Sequence, residues 1–465
     1  MMKQTGKAIR ILLFAVVAAL CIAGAYRILS WKDTMGDYLS SAEQLYATPR
    51  DLVDVLFVGS SHCYAGVNPD LLWRDFGIAA FDMAISGQDK PSSLYYTKEA
   101  LKSQSPKVIM VDLLATTFEE GVPGNVYRNM LSMRSSPDQV RMVLEEPVEE
   151  KADYILKWPV IHSRYRELKA YDFVSNEYSR YGRGYCYRFA ANEVIHRPGT
   201  ESMEDTTLIS DGNRRWVDSF IRLAEKKGAS LHMIILPYEM SIEDKMIFNG
   251  VQDYLAEKGI PCIDFNCMMS TLDIRYLTDF MDEGHLNYYG GAKVTNYLGQ
   301  FLRDTYGIEN HAGEPAYAMW DKSLKYGEHL VAREESRAIF EPNEYMDLLL
   351  SLEDLTIVLR MDGDGTGTQF DLPGAVSAIG LDPSFARKTG IAIVDRGTVL
   401  PEVPRAGEEL YLNELSFQDM LSITRDDEDL VIEVNGEELF EPYDGLGVYV
   451  YDRLLGEPWQ TRIFY

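Results

Sequence analysis

Apolar and polar positions follow one rhythm over the first two thirds of this chain and another over the last third. Residues 53–58 form a β-branched, apolar run long enough for one buried strand, and it breaks at Gly59-Ser60-Ser61-His62. Residues 69–76 read as a short helix with proline in its first turn. A second strand is expected over 81–85, ended by Ser86-Gly87-Gln88, then a helix over 91–103 and a third strand over 107–111. Further on, helical spacing over 212–228, 242–258 and 290–306 alternates with strand-like runs over 230–236 and 260–265.

Strands separated by helices of this length need crossover connections. They imply a mainly parallel sheet with helices on both faces, a three-layer α/β/α sandwich. In such sheets the reactive groups stand beyond the carboxyl ends of the strands, where Ser61 and Gly87 both fall.

Between residues 118 and 210 the pattern changes to helical runs rich in Tyr, Arg and Glu, without a clear strand. That length exceeds an ordinary connection and predicts a helical insertion folded over the sheet, as a lid or substrate wall. Its aromatics (Tyr154, Trp158, Tyr165, Tyr171, Tyr178, Tyr181, Tyr185, Tyr187) are of a kind that stack on sugars, although packing within the insertion is the preferred reading. A helical spacer is expected over 316–344. From 345 to 465 short β runs dominate, at 355–359, 390–394, 430–434 and 448–451, with a hairpin turn signal at Asn435-Gly436. This region reads as a separate, mostly β domain with a binding role.

The N-terminus adds a location. Lys3, Lys7 and Arg10 precede an uncharged run over 11–26 closed by Arg27, about 16 residues or roughly 24 Å of helix. Basic residues before the run favour an inside N-terminus and an extracytoplasmic body. Residues 1–30 are expected to be an uncleaved signal anchor, with cleavage near Ala23-Gly24-Ala25 and secretion as the alternative. The main domain is then expected over 31–310. A composition of 46% hydrophobic and 25% charged residues is that of a globular chain with a sizeable core. The net charge of −27 argues against a nucleic-acid partner and fits a solvated acidic surface. None of the five cysteines (Cys21, Cys63, Cys186, Cys262, Cys267) forms a C-x-x-C pair, so no zinc knuckle is expected.

A serine hydroxyl is a weak nucleophile unless a base takes its proton, usually an imidazole oriented by a carboxylate. Asp282-Glu283-Gly284-His285 offers that carboxylate and imidazole in one short loop. His285 is the expected base, Asp282 its orienter and Ser61 the nucleophile. His62 is the rival base; because adjacent side chains in a turn diverge, it is expected at the rim. Gly59-Ser60-Ser61 and Asp282-x-x-His285 each have ordinary structural readings alone. Together, one after the first strand and one before the last helix, they point to acyl chemistry.

A strand ending in Gly-(Asp/Ser)-Ser near the start, with Asp-x-x-His before the last helix, resembles the SGNH/GDSL hydrolases over about residues 51–306. Gly59-Ser60-Ser61-His62 and Asp282-Glu283-Gly284-His285-Leu286-Asn287 look similar to the membrane-associated branches, among them the teichoic-acid D-alanylation protein and alginate O-acetyltransferase relatives. The resemblance implies Ser61, His285 and Asp282 as catalytic residues, with the N–H groups of Ser61 and Gly87 lining an oxyanion hole. It implies a surface O-acyl esterase or O-acyltransferase acting on a cell-surface glycan, in the second case with a membrane-bound acyl-donor partner. Neither a cofactor nor a metal enters the expected site. One departure stands out: the family's third block carries an Asn, whereas here the third strand runs into Asp112-Leu113-Leu114-Ala115-Thr116-Thr117. An ionised Asp112 would repel an oxyanion, and Asn125 or Asn129 would have to reach in from the insertion. Residues 432–438 and 445–452 resemble interleukin-like EMT-inducer (ILEI-type) domains. The other function class is a non-catalytic surface binding or assembly protein on a relic hydrolase fold.

Overall fold

Strand β1 (Val55–Gly59) is buried along its whole length because apolar residues face both ways from it. It pairs in parallel with β2 (Ala80–Ala84) on one side and β3 (Val108–Asp112) on the other. Strands β4 (Ser230–Ile235) and β5 (Cys262–Asp264) extend the sheet in the order β2-β1-β3-β4-β5, parallel throughout. Alternate residues feed two cores. Leu56, Val58, Phe81, Met83, Ile109 and Val111 meet Tyr96, Trp216 and Phe220 on one face. Val55, Phe57, Ala84 and Met110 meet Leu72, Val294 and Leu298 on the other. This is the expected three-layer α/β/α sandwich, with each strand displaced by one or two residues at most from its predicted ends.

The computed structural model describes residues 2–30, 40–118, 126–173, 181–196, 199–363, 365, 369–400, 409–412, 421–425, 430–434, 437–438 and 445–465. Two units divide the chain, Met1–Leu324 and Lys325–Tyr465. The first unit carries helices α1 (Met2–Leu29), α2 (Ser40–Ala47), α3 (Ser61–Gly66), α4 (Pro69–Phe76) and α5 (Lys90–Ala100). In α1, Ile9–Leu29 is long and apolar enough to cross a membrane, and it is unburied except at its last residue, Leu29.

The insertion is helical only in its first half, through α6 (Val126–Ser132), α7 (Pro137–Glu145), α8 (Lys151–Leu156) and α9 (Trp158–Ile161). The expectation of a helical segment up to 210 is corrected beyond that. From Tyr185 the backbone is extended and tied down by distant partners rather than by its own helix. Cys186 N–H donates to Tyr64 O at 2.9 Å, Asn192 N–H to Phe280 O at 3.0 Å, and Arg188 O accepts from Tyr288 N–H at 2.7 Å. Tyr187 donates to Asp70 Oδ2 at 2.7 Å and stacks on Tyr288, so the later tyrosines pack internally. Tyr178 lies outside the described residues.

Helices α10 (Asp211–Lys227), α11 (Ile242–Glu257) and α12 (Tyr288–Tyr306) complete the layers, with the hairpin β6 (Phe280–Asp282) and β7 (His285–Leu286) between α11 and α12. The segment expected as a helical spacer over 316–344 is helical for most of its length. Helix α13 (Ala318–Glu335) carries Trp320, fully buried, whose Nε1 donates to Ala80 O at 3.1 Å, so its first turns belong to the first unit's core.

The second unit takes in the last turns of α13 and then α14 (Pro342–Leu350), which runs on past 344 into the stretch expected to be β-rich. Strand β8 (Leu355–Asp362) lies between β9 (Gly390–Asp395) and a long strand at Gly445–Asp452, antiparallel to both. Four further described strands within 409–438 form a separate antiparallel sheet. All four β runs read from the sequence fall on strands; the Asn435-Gly436 turn lies outside the described residues.

Candidate active site

Three consecutive strand ends meet at one edge of the sheet. Past β1 the chain turns directly into α3, whose first residue is the half-buried Ser61. The turn is tight: a Cβ on Gly59 would lie 2.7 Å from Cys63 Cβ and 2.9 Å from Asp112 Cβ, so only glycine fits there. Past β2 comes Gly87, at φ +62° in the left-handed region. Among the described residues its N–H has no hydrogen-bond partner.

Helix α3 packs against β7, which brings the distant hairpin to the same edge. Phe280 and Leu286, opposite each other across the hairpin and both buried, seat it in the core. Asn287, fully buried, caps α12 by accepting from the Tyr289 and Gly290 N–H groups, and its Nδ2 donates to Thr278 O at 2.7 Å. Between these anchors Asp282 Oδ1 stands 2.7 Å from His285 Nδ1 and accepts from the Gly284 N–H at 2.9 Å. Both side chains keep access to solvent. Partial burial pushes the Asp282 carboxyl up. The hydrogen bond and charge of His285, with the backbone amides of Gly284 and His285, outweigh that and hold it below the usual range. An ionised carboxylate at Nδ1 leaves Nε2 as the nitrogen that can accept a proton.

His62 is not at the rim. Ser61 begins a helix rather than a loose turn, and the next residue points inward. His62 is buried, its ring 4.7 Å from that of Tyr238 and edge-on to His285 at 5.5 Å between centroids. Burial first, and the neighbouring His285 charge second, push its pKa down to about 3 against the pull of Asp282. His62 is therefore a neutral ring in the working range.

Cys63 of α3 faces Asp82 of β2 and Asp112 of β3, and all three are buried. Burial, with the nearby Asp82 and Asp112, raises the Cys63 thiol well above its ordinary range, which removes it as a rival nucleophile. Burial also raises Asp112 to about 7, against the backbone amides of Leu114, Leu236 and Leu113. Asp112 packs against Gly59, and with its pKa raised to about 7 it carries only about half a charge at neutrality.

Of the two asparagines weighed from the sequence, Asn125 lies outside the described residues and Asn129 reaches the site's edge. Asn129 is fully buried, its Nδ2 donates to the Gly87 carbonyl at 3.3 Å, and its backbone carbonyl accepts from Tyr96 Oη at 2.7 Å. It grips the loop that carries Gly87. Tyr238, which backs His62, went unread; its one signal was its place just past the end of β4.

No protein-family profile matches the chain, and no curated protein matches it. Among solved structures it is similar to one assigned as an acylhydrolase from Bacteroides fragilis, at 14% identity and TM-score 0.30, over 59% of this chain and 99% of that one. It is also similar to an acetyl xylan esterase from Butyrivibrio proteoclasticus at 10% identity, and to an active-site mutant of a family two carbohydrate esterase from Clostridium thermocellum at 12%. Both have a TM-score of 0.25, and the match covers 56% of this chain and 66% of each of theirs.

Proposed function

We propose that this chain is a serine-dependent acyl-ester enzyme acting outside the membrane on an acylated cell-surface polysaccharide. The observation that carries the reading is the 2.7 Å contact between Asp282 Oδ1 and His285 Nδ1, on a hairpin seated against the helix that Ser61 begins. Ser61 Oγ attacks the acyl carbonyl while His285 Nε2 accepts its proton. The N–H groups of Ser61 and Gly87 receive the negative charge on the tetrahedral oxygen. His285 then returns the proton to the departing alcohol, and an acyl-serine remains. Water resolves it in an esterase; a sugar hydroxyl resolves it in an O-acyltransferase supplied by a membrane-bound acyl donor. Helix α1 serves as an uncleaved anchor that keeps the site at the cell surface.

Labelling the purified full chain with a fluorophosphonate tests the nucleophile. Labelling that disappears in Ser61→Ala and in His285→Ala supports the reading. Labelling independent of Ser61, or none, overturns it in favour of a non-catalytic surface protein. Comparing the acyl content of surface polymer in wild-type and Ser61→Ala strains separates the two reactions: loss of acyl groups marks a transferase and gain an esterase.

A further inference from the structure

Helix α1 ends against the insertion. Leu29 is buried, and the carbonyls of Leu29 and Ser30 accept from Arg164 Nη1 at 3.0 and 2.8 Å. Arg164 Nη2 donates to Asp172 Oδ1 at 2.8 Å, with the two side chains 7% and 0% exposed. The other oxygen, Asp172 Oδ2, accepts from the Lys169 N–H at 2.9 Å. A buried guanidinium that satisfies the last carbonyls of a helix fixes where the chain leaves that helix.

Three pieces of the insertion touch α1: helix α9, the turn His162–Arg166 and the turn Ala170–Phe173. Among the described side chains, each exposes a large aromatic ring. Trp158 is 39% exposed, Tyr165 58% and Phe173 63%. Arg166 and Lys169 are exposed on the same stretch, against one exposed acid, Glu167. Amphipathic rings and basic side chains are the residue types that settle at the boundary between lipid headgroups and acyl chains.

We propose that this face of the insertion docks on the membrane that α1 crosses, with Trp158, Tyr165 and Phe173 seated at the headgroup boundary around the point where α1 emerges. This rests on reading α1 as a retained anchor. The occupant is lipid because the three rings sit on the segments that hold the end of the apolar span, so they continue a surface already facing the bilayer. The insertion then acts as a footing that holds the catalytic unit against the membrane.

The test uses the full chain in vesicles of phosphatidylcholine and phosphatidylglycerol, some with bromines near the top of the acyl chains. The sequence contains six tryptophans, so the Trp158 signal is the difference between wild type and Trp158→Phe. Docking predicts that bromolipid quenches this difference while aqueous iodide does not, and that Tyr165→Glu with Phe173→Glu reverses both. A Trp158 signal open to iodide overturns the proposal. So does one shielded from iodide yet untouched by bromine, which would mark a second copy or a protein partner as the occupant. Alkaline carbonate extraction reads the anchor separately. If carbonate releases the chain, the anchor has failed, and the same quenching on added vesicles still decides the docking.

Discussion

The rings of His62 and His285 meet edge to face with centroids 5.5 Å apart, yet only His285 touches a carboxylate. The two imidazoles are thereby given different work. With its pKa near 3, His62 stays neutral and serves as a spacer between Tyr238 and His285. Replacing it with a ring that cannot titrate, in His62→Phe, is expected to leave ester turnover within about tenfold of wild type. Replacing His285 should cost roughly a thousandfold or more, as loss of a triad base does. Hydrolysis of p-nitrophenyl acetate by both variants checks this. His62 also has a stability signature. Its folded pKa lies below the ordinary 6.5, so the unfolded chain takes up the proton first, and stability falls as pH drops from about 6.5 towards 3. His62→Phe should therefore lose less stability than wild type between those limits, by up to about 1.4 kcal/mol per pH unit, in urea melts.

Asn129 reaches across from the insertion to the Gly87 carbonyl, and the peptide plane it holds sets the direction of the following loop. Asn129→Ala leaves that buried carbonyl without its donor, at a cost of about 1–3 kcal/mol in stability. A misplaced Gly87 N–H should lower kcat about tenfold to hundredfold, less than deleting an oxyanion donor outright, with KM nearly unchanged. Steady-state kinetics on the same ester separate this from a general loosening, which would move both constants.

Glu146, at the end of α7, accepts from Ser92 Oγ at 2.9 Å and faces Asp89, the residue that caps α5 just past Gly87 and Gln88. Burial first, and the Asp89 carboxylate second, raise the Glu146 carboxyl far above its ordinary range, so it keeps its proton when folded. The unfolded chain releases that proton near pH 4.5. Stability from this group is therefore full below that value and declines as pH rises towards the raised folded pKa. Asp112, raised to about 7, acts in the same direction up to neutrality, whereas Lys157, lowered by burial to about 8, acts in the opposite direction at higher pH. The expected outcome is a falling Tm just above neutrality that Glu146→Gln flattens. An unchanged slope in thermal melts would remove Glu146 as its source.

Strand ends and the Asp282-His285 pair were legible because each is a local pattern: an apolar run of fixed length, or two groups three residues apart in a tight turn. What sequence could not supply depends on distant packing. A loose turn after Gly59 would place His62 at the rim, whereas α3 begins at once at Ser61, with Cys63 and Asp112 packed close on that glycine. Composition marks 118–210 as an insertion with helical runs but does not show where they stop; from Tyr185 the backbone hydrogen bonds go to Tyr64, Phe280 and Tyr288, far along the chain. Nothing in the pattern around Trp320 signals that its indole reaches Ala80 O on β2. The charge of Asp112 was likewise unreadable, since burial decides it.

In the second unit, among the described residues, Asp452 is a carboxylate that holds four partners at once. Its Oδ1 accepts from the Leu454 and Leu455 N–H groups at 3.0 Å each, and its Oδ2 from Trp459 Nε1 at 3.1 Å, with His329 Nδ1 at 2.9 Å. All of this is buried, with His329 1% and Asp452 0% exposed in their side chains. Asp452→Ala strands four groups without water to replace the carboxylate, and the expected loss is about 3–5 kcal/mol, the range for breaking a buried pair from one side. Asp452→Asn is the sharper variant. Its oxygen still serves the two backbone N–H groups, and His329 can change tautomer to accept from the new amide. The Trp459 indole N–H, however, then faces a donor. The expected loss is about 1–3 kcal/mol, set by that one unsatisfied group. Urea unfolding followed by tryptophan fluorescence gives the order, alanine worse than asparagine; equal losses would mean that the Trp459 indole, rather than the backbone turn, depends on Asp452.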